Sequence, residues 1–333
     1  MIYYGAALLV GFLVLFKSAD QFVIGAVASS RNFKISPMNI GLTVVALGTS
    51  APEIFVSAIS AFQNQPELSV GNAIGSNIAN IGMVLGVTAV VVPLKFRASL
   101  LRNDLPIMVF VTLCAGATLI DYHLGIWDGL LLLVGLCVFL FRLAVEHRKF
   151  NTMETETAAE IDALGEIPAM SNSRAVITFG LSLVFLLLSS QLLVWAVANI
   201  AILLGISELV IGLTVIAVGT SLPELMVSMT SALKGQTDLA IGNIVGSNIF
   251  NILAVLAIPS IVSPTSVDSE LLTRDYVVML GLTMLLVLFA YQSKPGGRIG
   301  RLKGVFLLCI WVGYLVFLYN SATGHDSLPF VAY

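Results

Sequence analysis

Residues 41–62 read GLTVVALGTSAPEIFVSAISAF, and residues 212–233 read GLTVIAVGTSLPELMVSMTSAL; fourteen of these 22 positions are identical. A second shared stretch follows each, GNAIGSNIANIG from Gly71 and GNIVGSNIFNIL from Gly242, and both pairs keep one offset of 171 residues. A constant offset through two motifs means that one unit is used twice.

The surroundings of these motifs are apolar. Of the 333 residues 58% are hydrophobic and only 11% are charged, and the mean hydropathy is +0.98, values that exclude an ordinary soluble domain. The apolar runs are continuous rather than alternating, which selects helices over a closed barrel. Each is near the ~20 residues that a hydrocarbon core requires. The expected fold is therefore an all-α polytopic membrane protein with ten transmembrane helices, over 3–29, 38–62, 67–92, 103–120, 124–145, 174–204, 209–233, 238–262, 270–291 and 303–320. The first span has no basic leader or small-residue cleavage site and reads as a retained helix.

Each unit holds five spans. Five is odd, so the second unit starts from the opposite side of the membrane, and the chain reads as two inverted five-helix repeats: 1–145 with motif segments 41–62 and 69–82, and 174–320 with motif segments 212–233 and 240–253. An acidic linker, 146–173, carries Glu154, Glu156, Glu160, Asp162 and Glu166, and 321–333 form a tail. The linker reads as a solvated segment, since it lacks the alternating carboxylates and central Gly of an EF-hand loop. Lys and Arg gather in alternate connections: Arg31 and Lys34, then Lys95, Arg97 and Arg102, then Arg142, Arg148, Lys149 and Arg174, then Lys234, then Lys294, Arg298, Arg301 and Lys303. This bias puts those connections in the cytoplasm and both termini outside it. Arg274 lies on the other side. Lys17 and Asp20, three apart in the first span, read as an ion pair. Cys114, Cys137 and Cys309 sit in apolar runs and read as small hydrophobes of the core.

Glu53 and Glu224 lie within hydrophobic spans, where an ionised carboxylate costs at least about 2 to 3 kcal/mol. Pairing with Lys17 could answer for one acid but not for two at equivalent positions. On a helix, residues three and four before each acid share its face. Thr49 and Ser50 therefore stand beside Glu53, and Thr220 and Ser221 beside Glu224. Gly48 and Pro52, and Gly219 and Pro223, bracket these residues and break the helix, freeing backbone carbonyls. The companion segments place Asn72, Ser76 and Asn80, and Asn243, Ser247 and Asn251, at four-residue spacing along one face. All convergent groups are oxygens or amides, which suits a hard cation; six to eight oxygens at about 2.3 to 2.6 Å is the calcium pattern. Two carboxylates match one divalent or two monovalent cations, the condition for calcium and sodium to compete at one site.

The GTS-x-PE and GN-x-x-GSN-I-x-N segments closely resemble the two alpha repeats of the cation/calcium exchanger superfamily, and the resemblance runs through all ten spans. It is nearest to the bacterial inner-membrane, YrbG-like calcium/sodium antiporters. It implies ion binding by Ala46, Thr49, Ser50, Glu53, Ser76 and Asn80 in the first half and by Ala217, Thr220, Ser221, Glu224, Ser247 and Asn251 in the second. Glu53, Glu224, Thr49 and Thr220 would be calcium ligands, and the alanines would contribute carbonyls. It also implies that the first span of each repeat slides as a gating pair. Some relatives, potassium-dependent ones among them, carry Asp where this chain has Asn251.

The expected function is secondary active antiport of calcium for sodium by alternating access at a midplane site. Calcium/proton exchange, potassium-dependent exchange and a passive cation channel stay open as alternatives. The chain shows no P-loop and no histidine at membrane depth, so neither a nucleotide-driven pump nor an intramembrane metalloprotease is expected. The expected partners are calcium, sodium and the lipid bilayer, with no cofactor, nucleotide or nucleic acid.

Overall fold

The computed structural model describes residues 2–97, 99–150, 170–204, 217–292 and 298–323. These form a helical bundle. In chain order its main helices are α1 (Ile2–Phe33), α2 (Pro37–Thr49), α3 (Ala51–Phe62), α4 (Pro66–Val91), α5 (Leu100–Leu119), α6 (Ile126–Phe150), α7 (Asn172–Leu203), α8 (Leu222–Leu233), α9 (Thr237–Val262), α10 (Leu271–Tyr291) and α11 (Arg301–Thr323). Eight helices are long and apolar enough to cross a membrane, and α2 with α3, bent by 44°, form a ninth candidate. The expected span 209–233 is described only from Ala217 onward, as a turn over Ala217–Thr220 followed by α8. The linker acids Glu154 to Glu166 and the tail beyond Thr323 lie outside the described residues.

Helix ends follow local chemistry. The Ser36 hydroxyl accepts from the Asn39 backbone N–H at 3.1 Å with Pro37 at the first helical position, and Ser171 caps α7 by accepting from the Arg174 N–H at 3.4 Å. Side-chain capping satisfies one of the donors that a helix start leaves open, and Pro there loses nothing.

The bundle has two packing units. α4 and α9 are its axis, with 78% and 83% of their most apolar windows buried against 11–39% for the other long helices. Around them lies the main hydrophobic cluster, to which α5, α6, α10 and α11 contribute. α1 and α7 pack chiefly on one another within a second cluster that includes Leu15, Phe22, Val23, Leu186 and Leu193. Phe22 stacks on Phe179 at 4.5 Å and Tyr4 meets Trp195 edge-on at 5.1 Å. Gly11 lies against Leu193 and Gly25 against Phe179, so α1 and α7 run antiparallel.

The connections sort to two ends. At one end, β1 (Leu94–Lys95) pairs with β4 (Arg298–Ile299), Arg97 binds Asp238 at 2.5 Å, and the Asn32 amide donates to the Met170 carbonyl at 2.9 Å. At the other, β2 (His123–Leu124) pairs with β3 (Thr265–Ser266), and the Val267 N–H donates to the Tyr122 carbonyl at 2.8 Å. The cation-bearing connections thus gather at one end.

Two expectations change. Asp20 pairs with Lys234, Nζ to Oδ1 2.6 Å, and not with Lys17, which is exposed. A tertiary neighbour, the end of α8, reaches the carboxylate where the helical neighbour turns outward. Cys137 and Cys309 are exposed on the outer surface of α6 and α11 rather than packed inside, and Cys114 is half-buried. Where the solvent is lipid, an outward thiol costs no more than an inward one.

Candidate functional site

Both shared motifs break their helices at the same place. Ser50 (φ −81°, ψ 8°) separates α2 from α3, and Ser221 (φ −88°, ψ 6°) separates the Ala217–Thr220 turn from α8. Pro52 and Pro223 follow within the first turn, where a missing N–H is tolerated. Glu53 and Glu224 therefore stand in the first turn of α3 and α8, at the end of a helix where the backbone N–H groups favour negative charge. Both are fully buried.

The breaks place hydroxyls of one half on groups of the other. The Ser50 Oγ donates to Glu224 Oε1 at 3.2 Å. The Thr49 Oγ1 lies 3.0 Å from Asn243 Oδ1 and 3.3 Å from the Ala46 carbonyl, which share its proton. Asn243 uses its amide as well, donating to Ser228 Oγ at 3.0 Å and toward the Glu224 carbonyl at 3.5 Å. In the first half Asn72 donates to Ser57 Oγ at 3.0 Å and to the Glu53 carbonyl at 3.1 Å. The two asparagines thus tie each acid-bearing helix to its companion at positions related by the 171-residue offset.

What remains after this pairing is informative. Both oxygens of Glu53, Oε2 of Glu224, both polar atoms of Asn80 and of Asn251, and the hydroxyls of Ser221 and Ser247 are buried without a hydrogen-bond partner. An uncompensated buried carboxylate is the most costly of these, and such groups in a folded chain call for an explanation. These nine atoms all belong to residues singled out by the repeated motifs; among the described residues five further buried atoms without a partner lie on Ser69, Asn77, Thr230, Ser231 and Asn248. Ser76 and Thr220 are buried as well, and the Ala46 carbonyl accepts from the Thr49 hydroxyl. Ala217 opens the short turn that ends at Thr220. Of the four-residue stripes, Asn72 and Asn243 serve helix packing, whereas Asn80 and Asn251 each begin a π-helical turn, over Asn80–Leu85 and Asn251–Val255. Such turns widen the helix and are frequent at functional sites.

The donor set contains two carboxylates surrounded by neutral oxygens and amides. Among the described residues no group of three or more His, Cys, Asp and Glu side chains converges. Carboxylates among neutral oxygens and amides are groups of the kind that ligate hard cations.

Some groups were missed in the sequence reading. Ser57 and Ser228 receive the clamping asparagines. Asn77 and Asn248, both buried, meet where α4 crosses α9, with the Asn77 amide donating to the Asn248 carbonyl at 3.3 Å. All four lie at identical positions of the duplicated motifs, and that identity was the available signal.

Comparison with known proteins accords with this geometry. CaxA of Alkalimonas amylolytica is 44% identical over 314 residues, covering 94% of this chain and 98% of its own. The inner membrane protein YrbG of Escherichia coli K12 is 38% identical over 319 residues, covering 94% and 96%. The solved structure of the sodium-calcium exchanger NCX_Mj, soaked with 2.5 mM Na+ and 0.1 mM Ca2+, superposes with a TM-score of 0.80 at 31% identity, covering 96% of this chain and 99% of that one. The profile of the family described as "Sodium/calcium exchanger protein" matches residues 3–145 and 174–320. The chain is a multi-span membrane protein that belongs to the sodium/calcium exchanger family.

Proposed function

We propose that this chain is a secondary antiporter that exchanges calcium for sodium across a bacterial inner membrane, at one site built by Glu53 and Glu224. The observation that carries the reading is the Ser50–Glu224 hydrogen bond beside an unpartnered Glu53: the two acids belong to one centre made by both halves. Glu53, Glu224, Thr49 and Thr220 are the calcium ligands in this reading. Ser50, Ser221, Ser76, Asn80, Ser247, Asn251 and the carbonyls of Ala46 and Ala217 complete the oxygen shell or serve sodium.

The architecture that suits it is a pair of inverted five-helix repeats, 1–145 and 174–320, joined by a linker. Three contacts support the inversion. The first helices of the two halves, α1 and α7, run antiparallel. Gly82 and Gly86 of α4 pack on Trp311 and Leu308 of α11, while Gly129 and Gly135 of α6 pack on Ser260 and Leu253 of α9, so each half exchanges its last helix with the other. The strand pairs repeat the exchange. In this arrangement the site opens to one side at a time. The cation-bearing end is cytoplasmic and both termini are periplasmic.

The close packing of α1 and α7 on one another supports their motion as a gating pair. Asp20 and Lys234 then form a latch at one limit of travel. The positions related to them by the repeat are Gln191 and Gln63, both neutral and exposed, so the opposite limit has no charge pair. Asp20→Asn and Lys234→Gln are expected to shift the ratio of inward to outward exchange rates by roughly 1.5- to 5-fold, the yield of a partly exposed pair. The double exchange Asp20→Lys with Lys234→Asp restores the ratio. A double variant as altered as the single ones contradicts the latch.

The function is tested by calcium-45 uptake into proteoliposomes loaded with sodium, potassium or choline at equal pH. Uptake is expected only with internal sodium. Equal uptake in all three would remove sodium coupling, and a requirement for a pH gradient would make the chain a proton antiporter.

A further inference from the structure

A hydroxyl ligand carries a constraint that a carbonyl does not. Its oxygen has two lone pairs and one proton, and it can hold a cation only while that proton points elsewhere. The fully buried Thr49 has two acceptors for its proton, Asn243 Oδ1 at 3.0 Å and the Ala46 carbonyl at 3.3 Å. The two are not equivalent. The Ala46 carbonyl lies on the same helix as Thr49, one turn back, whereas Asn243 stands on α9 in the other half.

Which way the Asn243 amide points is set by the second half. Its Nδ2 donates to Ser228 Oγ at 3.0 Å and to the Glu224 carbonyl at 3.5 Å. A backbone carbonyl can only accept, so the NH2 side faces α8 and the oxygen faces Thr49. With the amide turned over, two acceptors would meet at Glu224 and the NH2 would occupy a lone pair of Thr49. Asn243 and Ser228 are both fully buried, so bulk water cannot stand in for either contact. In the first half Asn72 makes the same two donor bonds, to Ser57 Oγ and the Glu53 carbonyl. Asn243 adds to them the bond across the halves.

We infer that Asn243 is a positioning residue for calcium, on the reading of Thr49 as a calcium ligand: its Oδ1 takes the Thr49 proton and leaves both lone pairs of Oγ1 free for the ion. The Ala46 carbonyl is spared as well. Without Asn243 the Thr49 proton falls on that carbonyl, so a second oxygen of the proposed shell is consumed. Outer partners that orient ligands in this way are worth about 10- to 100-fold in metal affinity. The bond also spans the contact between α2 and α9, so Thr49 is a fully prepared ligand only while the two halves are closed on each other.

The experiment is a double-mutant cycle read by calcium-45 equilibrium binding to the purified full chain. Thr49→Val keeps the shape of the side chain and removes its hydroxyl, and Asn243→Leu keeps the approximate size and removes the acceptor. Asn243→Leu is expected to weaken calcium binding about 10- to 100-fold, and to change it by less than about twofold in the Thr49→Val background. Asn243→Ala, which adds no volume, is expected to give the same pattern and carries the cycle if the melting temperature shows that Leu is not accommodated. A residue that only held α9 to α2 would weaken binding equally in both backgrounds, and that result overturns the inference. So does wild-type affinity in the folded Asn243→Ala variant. A wild type that binds no calcium would end the exchange reading and this inference together, whereas a failed cycle on a calcium-binding wild type ends this inference alone.

Discussion

Glu53→Gln is expected to abolish sodium-driven calcium uptake, as is Glu224→Gln, with the protein still folded in the membrane. Amide and carboxylate have the same shape, so no cavity opens. Neither Glu53 oxygen accepts a hydrogen bond within the protein, so the change breaks none there. What is lost is one of the two charges facing a divalent ion. Removing one partner of a buried charge pair costs about 3 to 5 kcal/mol, which at about 1.4 kcal/mol per decade is roughly two to four orders of magnitude in calcium affinity. The apo protein is expected to melt no lower than wild type, because an isolated buried carboxylate is itself unfavourable. Calcium should raise the wild-type melting temperature and not that of either variant, since a ligand stabilises only the state that binds it. A variant that transports at the wild-type rate would remove its acid from the site.

The second large effect is steric. A Cβ on Gly246 would lie 2.7 Å from the Ala46 Cβ and 2.8 Å from the Leu42 carbonyl oxygen, and one on Gly242 would lie 2.7 Å from the Met38 carbonyl oxygen. Backbone meets backbone there, as small residues allow in membrane helix packing. Gly246→Val must push α9 away from α2, and overpacking of this kind costs about 1 to 3 kcal/mol or more when the obstacle is main chain. The displacement reaches the site directly, because Thr49 on α2 is bonded to Asn243 on α9. Exchange is expected to fall at least tenfold at equal protein level, with a lower melting temperature. Gly313→Ala is the control: a Cβ there meets nothing within 4 Å, and transport should stay near wild type. Wild-type exchange in Gly246→Val would mean that the close contact between α2 and α9 is not needed for the site.

The parts of this arrangement that could be read in advance are those carried by local chemistry. Pro52 and Pro223 with Gly48 and Gly219 announced broken helices, and the breaks occur at Ser50 and Ser221. The buried acids announced a polar centre in an apolar span. Tertiary choices were not legible. The two-residue strands are too short for a period-2 pattern, and Lys234 as the partner of Asp20 depends on where α8 ends. The four-residue stripe from Asn72 to Asn80 assumed a uniform helix; the π-helical turn at Asn80 ends that uniformity, and Asn72 proves to hold α4 to α3.

In the proposed exchanger the two halves build a single cation site at which calcium and sodium compete. Calcium-45 equilibrium binding to the purified protein, titrated with sodium against an equal concentration of choline, decides whether they do. Calcium binding is expected to saturate, to be displaced by sodium and not by choline, and to disappear in both Glu53→Gln and Glu224→Gln. Calcium binding that is indifferent to sodium, or that survives intact in either variant, would contradict it.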